Sequence, residues 1–128
     1  MADWMQIQSE DDIYLALHSA RVMMNELSFS EMNQQKVIVS VSELTRNILD
    51  HAESRGYVSF EFVEGRGIRI TVQDRGKGIS NLDRVMSGEA VQPYRGLGLG
   101  LAGAKRMMDQ FEIYTSKEGT KIVCTKWK

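Results

Sequence analysis

A carboxylate closes an alternating run at Asp74 and is followed at once by glycines in Arg75-Gly76-Lys77-Gly78. Between positions 68 and 74, Ile68, Ile70 and Val72 share one side of an extended chain, with Arg69, Thr71 and Gln73 on the other. Asp74 falls on the apolar side. An ionised carboxylate at the buried edge of a sheet is costly unless a donor meets it, and Gly76 and Gly78 leave room beside it. Two readings fit: a strand-end Asp that caps a glycine turn, or a carboxylate whose donor belongs to a ligand.

A second polar set is Glu43, Asn47 and Asp50, spaced i, i+4 and i+7 so that a helix brings them into one stripe. The pattern places this stripe opposite the apolar arc of the same helix. It reads as a solvated face or as a carboxylate base beside an amide oxygen able to hold Mg²⁺, a hard ion that takes oxygen ligands and keeps several waters.

Glycines recur at 96, 98, 100 and 103. Gly98, Gly100 and Gly103 satisfy G-x-G-x-x-G, but a dinucleotide site needs a strand directly before them and an acidic residue roughly 20 positions on. Here Gln92-Pro93-Tyr94-Arg95 precedes and Thr120-Lys121-Ile122-Val123 follows, so the Rossmann reading fails; no Walker pattern is present either. Successive glycine N–H groups entering a helix still make a cradle for anions such as a triphosphate.

The elements that must carry these groups read as follows. A first strand near residues 4–8 leads to a helix start at Ser9, with Ile13, Leu17, Ala20, Met24 and Leu27 at helical spacing and His18 beside them as a structural residue. A second helix runs over about 30–52, its apolar arc made of Val37, Ile38, Val41, Leu44, Ile48 and Leu49. Strands at 57–63 and 68–74 form a hairpin through Glu64-Gly65-Arg66-Gly67. A short amphipathic piece at 82–86 and a polar loop with the only proline, Pro93, precede a glycine-led helix whose apolar face includes Ala104, Met107, Met108 and Phe111. Strands at 112–116 and 120–127 close the chain. The order β-α-α-β-β-α-β-β predicts an α+β fold, a two-layer α/β sandwich with helices on one face of a mixed sheet.

The totals narrow the function. A chain of 128 residues with 42% hydrophobic side chains suits one domain, 1–128. Sixteen basic and 17 acidic residues, well mixed for a net charge of −1, leave no footprint for nucleic acid or an anionic membrane. The lone Cys124 forms no internal disulfide and fits a reducing cytoplasm. Neither a membrane span nor a signal peptide is expected from the hydropathy pattern or from the start Met1-Ala2-Asp3-Trp4.

Taken together, Ser42-Glu43-Leu44-Thr45-Arg46-Asn47, Asp74-Arg75-Gly76-Lys77-Gly78, Gly96-Leu97-Gly98-Leu99-Gly100 and Gly119-Thr120 resemble, in order and spacing, the N, G1, G2 and G3 boxes of the GHKL superfamily with its Bergerat ATP-binding fold. The resemblance spans residues 37–127. Within the superfamily, Ser-Glu-Leu-Thr-Arg-Asn-Ile48, the run from Gly100 through Phe111 and the terminal Lys126-Trp127-Lys128 look most like the RsbT-like switch kinases of bacterial stress signalling. The resemblance implies ATP and Mg²⁺ as cofactors. Asp74 would receive the adenine amino group with Thr120 nearby, and Gly76 and Gly78 would let the base approach. Arg95, Gly96, Leu97, Gly98, Leu99 and Gly100 would close on the phosphates, Asn47 would ligate Mg²⁺, and Glu43 would be the catalytic base. It further implies a protein serine/threonine kinase acting on a STAS-domain partner, with a phosphatase or sigma-pathway regulator as further partners. The alternative is a nucleotide-gated binding module, an anti-sigma factor or phosphatase activator that works by sequestration. The loop at 87–94 matches no motif of the family.

Overall fold

The structure, a computed structural model, describes residues 4–51, 56–76, 78 and 100–128. Its elements are β1 (Trp4–Ile7), α1 (Glu10–Glu26), α2 (Glu31–His51), β2 (Gly56–Val63), β3 (Gly67–Asp74), α3 (Gly100–Met107), β4 (Gln110–Ser116) and β5 (Gly119–Trp127). The strands form one sheet in the order β1-β2-β3-β5-β4. Every pairing among the described residues is antiparallel, so the sheet they form is not mixed as the sequence suggested; the α+β sandwich itself stands.

Alternation decides which face is covered. In β3, Ile68, Ile70 and Val72 are buried while Arg69 and Thr71 are partly exposed and Gln73 exposed, the pattern of a sheet with one packed face and one wet one. Val58 and Phe60 from β2 and Ile122 and Cys124 from β5 join the buried side, and Ile13, Ala16, Ala20 and Met24 of α1 with Val37, Val41, Leu44 and Ile48 of α2 complete the core. Burying the larger of these side chains stabilises the fold by about 1.5–3 kcal/mol each before the entropy of ordering is subtracted.

Local chemistry fixes the helix ends. The Ser9 hydroxyl accepts from the Asp12 amide at 3.4 Å while the Asp12 carboxylate accepts from the Gln8 amide at 2.8 Å, and Glu10, Asp11 and Asp12 suit the positive end of the α1 dipole. Ser30 caps α2 in the same way, its hydroxyl accepting from the Asn33 amide at 3.1 Å. The buried Gln34 amide ties the helix pair, donating to Asn25 Oδ1 at 2.9 Å and to the Phe29 carbonyl at 3.3 Å. Arg46 reaches Glu10 at 2.8 Å from the other end.

Two details depart from the sequence reading. α3 stops at Met107, and Phe111 belongs to β4, which starts two residues earlier than the pattern indicated. Lys126 explains the stop: its ammonium donates to the Met107 carbonyl at 2.9 Å, capping the helix with a cation where the dipole is negative. His18 is exposed, so it contributes nothing to the core.

Candidate functional site

Asp74 ends β3, as the alternation predicted. It pairs across β2 with Gly56 and across β5 with Thr120, so carboxylate and hydroxyl sit side by side on the face turned towards the helices. Asp74 Oδ1 accepts from the Gly76 amide at 2.8 Å, which folds the chain back into the glycine turn. An ionised carboxylate has about four lone-pair positions, so this bond leaves it capacity to accept from a ligand.

Only glycine fits at two points of this turn. Gly78 has φ +83°, and a Cβ there would lie 2.1 Å from the Ser116 carbonyl oxygen. Gly119 has φ +147°, and its Cβ would lie 2.2 Å from the Asp74 carbonyl oxygen. The turn after β3 is thereby pressed against the β4–β5 hairpin, and the ends of three strands meet around one cavity.

That cavity, an open depression of about 520 Å³, is lined by Asp74, Thr115, Ser116 and Thr120 and also by Gln73, Tyr114 and Lys121 of the wet face, so it wraps around the strand ends. It falls in the size range of small-molecule sites, roughly 300–1,000 Å³. Thr120 is buried, and its hydroxyl oxygen stands 2.9 Å from that of Thr115. At the rim the Tyr114 hydroxyl donates to Glu112 Oε2 at 2.5 Å, and this hydrogen bond to a carboxylate raises the phenol above its ordinary range.

α2 reaches the same end of the sheet. A Cβ on Gly56, the register partner of Asp74, would come within 2.5 Å of the Ile48 side chain, so the C-terminal half of α2 lies directly on this strand end. The other contact of α2 is α3: Ser40 Oγ lies 2.9 Å from the Lys36 carbonyl oxygen and 3.4 Å from that of Ala104. Glu43 and Asn47 follow Ser40 by one and two turns on the same side of the helix. Glu43 is only 4% exposed, and Asn47 and Asp50 are partly buried, so the stripe is not a solvated face; α3 packs on α2 through the side that carries Ser40.

Of the glycine-rich segment, Gly100 is described: it opens α3, is buried and has φ +63°. Arg95, Gly96, Leu97, Gly98 and Leu99 lie outside the described residues, as do the 82–86 piece and the 87–94 loop. Among the described residues no group of three or more His, Cys, Asp or Glu could hold a metal; the amide oxygen of Asn47 is a donor of the type that Mg²⁺ takes. Among them, too, no helix is long and apolar enough to cross a membrane. Cys124 is fully buried, and burial pushes its thiol up to about 12, so it is no thiolate nucleophile near neutral pH.

Sequence reasoning passed over Ser40 and Thr115. Thr115 was legible in principle, because the Lys117-Glu118 turn sets a register in which it faces Thr120; Ser40 was not, since beside the local Lys36 carbonyl its hydroxyl meets that of Ala104, 64 residues away.

The family profile of the histidine kinase-like ATPase domain matches residues 8–126. The serine/threonine-protein kinase RsbT of Bacillus subtilis (strain 168) is 36% identical over 126 residues, covering 95% of this chain and 93% of that protein. In fold, the chain resembles the crystal structure of the RsbU and RsbW domains of Rv1364c from Mycobacterium tuberculosis, with TM-score 0.66 and 16% identity, over 98% of this chain and 32% of that one. It also resembles the nucleotide-free catalytic domain of the histidine kinase ThkA, with TM-score 0.56 and 12% identity, over 98% and 96% of the two chains. The four boxes read in the sequence and these likenesses agree: the chain belongs to the histidine kinase-like ATPase domain family and stands within it beside a serine/threonine-protein kinase.

Proposed function

We propose that the protein is a cytoplasmic, single-domain ATP-dependent protein serine/threonine kinase, and that its substrate is a small STAS-domain regulator whose partners change with its phosphorylation. The observation that carries this reading is the buried carboxylate of Glu43, one helical turn from Asn47, on the side of α2 packed against α3. A solvated stripe needs no such burial, and burying a carboxylate is costly, whereas phosphoryl transfer needs a base beside a metal ligand.

In this reading adenine docks at the strand ends, its amino group donating to Asp74, with Thr120 beside it and the Gly78 turn as the wall. The α3 N-terminus at Gly100 turns amide N–H groups towards the phosphates. Bound Mg²⁺ would supply neutralisation of the phosphate charge, and Asn47 would hold it through its amide oxygen. Glu43 takes the proton from a serine or threonine hydroxyl of the partner as that oxygen bonds to the γ-phosphorus, and ADP leaves with the electron pair of the broken bond. Supporting this assignment is the similarity to RsbT along nearly the full length of both chains.

The test is incubation with γ-labelled ATP, Mg²⁺ and a purified STAS-domain partner. Label on a serine or threonine of the partner is expected. Label released only as free phosphate would mark an ATPase instead. Unlabelled partner whose affinity nevertheless shifts with ATP would establish the sequestering module.

A further inference from the structure

We propose that Glu10 is a positioning residue for phosphoryl transfer: by holding the Arg46 guanidinium at the start of α1, it keeps that cation off the Glu43 carboxylate one helical turn away. The inference rests on the kinase reading above and goes beyond it by giving a role to a residue outside the four sequence boxes.

The ion pair lies at the site end of the sheet. β1 ends at Ile7, whose partner is Gly56, and Gly56 is in turn the partner of Asp74. Two strand spacings, about 10 Å, separate Ile7 from Asp74, and Glu10 opens α1 three residues after Ile7. Arg46 stands on α2 directly before Asn47, and its Nη1 donates to Glu10 Oε1 at 2.8 Å. The Arg46 side chain is 18% exposed and that of Glu10 54%. A pair with one partner half in water is screened and contributes little to stability. What the contact does is fix where the guanidinium goes.

Spacing on α2 makes that placement matter. Arg46 follows Glu43 by three positions and precedes Asp50 by four, and side chains three or four apart on a helix meet. An arginine released from Glu10 therefore has other carboxylates within reach on its own helix. Glu43 is almost fully buried, and a buried pair is screened much less than an exposed one, so the released cation is drawn there. A carboxylate beside a guanidinium is held in its ionised form and takes up a proton less readily. In the proposed reaction Glu43 must accept the proton of the partner's hydroxyl as that oxygen bonds to the γ-phosphorus, so the cation would weaken the base at the step where it acts. Glu10 prevents this from outside the reaction, with a carboxylate that touches neither nucleotide nor partner hydroxyl.

The experiment is single-turnover transfer of γ-labelled phosphate to the purified STAS-domain partner, with ATP affinity measured by calorimetry, for Glu10→Gln, Arg46→Gln and the double variant. Both single substitutions break the same ion pair, but only Glu10→Gln leaves a guanidinium to find another carboxylate. Transfer is expected to slow roughly tenfold in Glu10→Gln, as for a base weakened by about one pKa unit, with ATP affinity near wild type. Arg46→Gln should transfer at close to the wild-type rate, and adding it to Glu10→Gln should restore that rate. A tie that merely braces α1 against α2 would be lost alike in both single variants. Equal slowing of the two, an unchanged rate in Glu10→Gln, or a double variant as slow as Glu10→Gln overturns the role assigned to Glu10 while the kinase reading stands. If the wild type labels no serine or threonine of the partner, the kinase reading itself falls and the inference falls with it.

Discussion

Strands β3 and β5 run side by side from the Gly67–Trp127 pair to the Asp74–Thr120 pair, and the two ends treat polar groups in opposite ways. At the first end the chain closes on itself. The Trp127 ring covers Gly67 so closely that a Cβ would stand 2.5 Å from it, and the Arg66 guanidinium lies 5.3 Å from the ring centre. Asp109 accepts from Lys126 at 3.3 Å and from the Trp127 amide at 2.8 Å. At the other end glycines replace the aromatic cover, and a carboxylate and two hydroxyls face a cavity. The same ladder is sealed where it serves the fold and left open where a ligand can complete it; polar groups at the sealed end should govern stability, and those at the open end function.

The sharpest break between the two is Glu43→Gln. The substitution keeps size and hydrogen-bonding ability but cannot take a full proton, so partner phosphorylation should slow by roughly 10²- to 10⁴-fold while ATP affinity and thermal unfolding stay near wild type. Single-turnover transfer of labelled phosphate measures it. Wild-type transfer in this variant would remove Glu43 from the role of base.

Asp74→Asn comes next, since an amide replaces an acceptor-only group by one that also donates. ATP affinity should fall roughly ten- to a hundredfold, and preference over GTP should shrink. Calorimetry with both nucleotides reads this, and unchanged affinity with unchanged preference would place the adenine elsewhere.

Why the sequence showed so much of this follows from which interactions are local. The alternation at 68–74 and the caps at Ser9 and Ser30 depend on neighbours a few residues away, and α1, α2, β2 and β3 lie where those patterns put them. Asp74 was legible for the same reason, as a carboxylate on the apolar parity. Glu43 was harder: its i, i+4, i+7 relation to Asn47 and Asp50 looks like a wet stripe until α3 is known to pack there. Phe111 was assigned to the helix because its period continues past Met107; the stop comes from Lys126, a residue 19 positions later whose capping bond no local window contains. Strand direction was missed likewise, since sheet order is a property of the whole chain.

At the sealed end, Lys126→Met should exchange the two roles. The ammonium is buried and bonded both to the Met107 carbonyl and to Asp109, so its loss should cost about 1–3 kcal/mol in denaturant unfolding. ATP affinity should hold, because Asp74 and Thr120 lie at the far end of the ladder. A parallel drop in affinity would mean that α3, anchored through Met107, transmits the change to the open end and that the two ends are not independent.

The smallest effect expected is at Arg66, where two contacts compete as explanations. The guanidinium lies over Trp127, and it also comes within 3.6 Å of Glu64. Both partners of that ion pair are more than two-thirds exposed, so water and salt screen it and it contributes little. A cation over an aromatic face contributes about 0.5–1 kcal/mol at an exposed site. Arg66→Gln should therefore lower unfolding stability by no more than about 1 kcal/mol, while Glu64→Gln should leave it unchanged. The backbone bond from the Lys128 amide to the Arg66 carbonyl, 2.8 Å long, survives both substitutions and keeps the strand ends in register. Equal losses in the two variants would assign the contribution to the ion pair, and the seal over Gly67 would then rest on the packing of the ring alone.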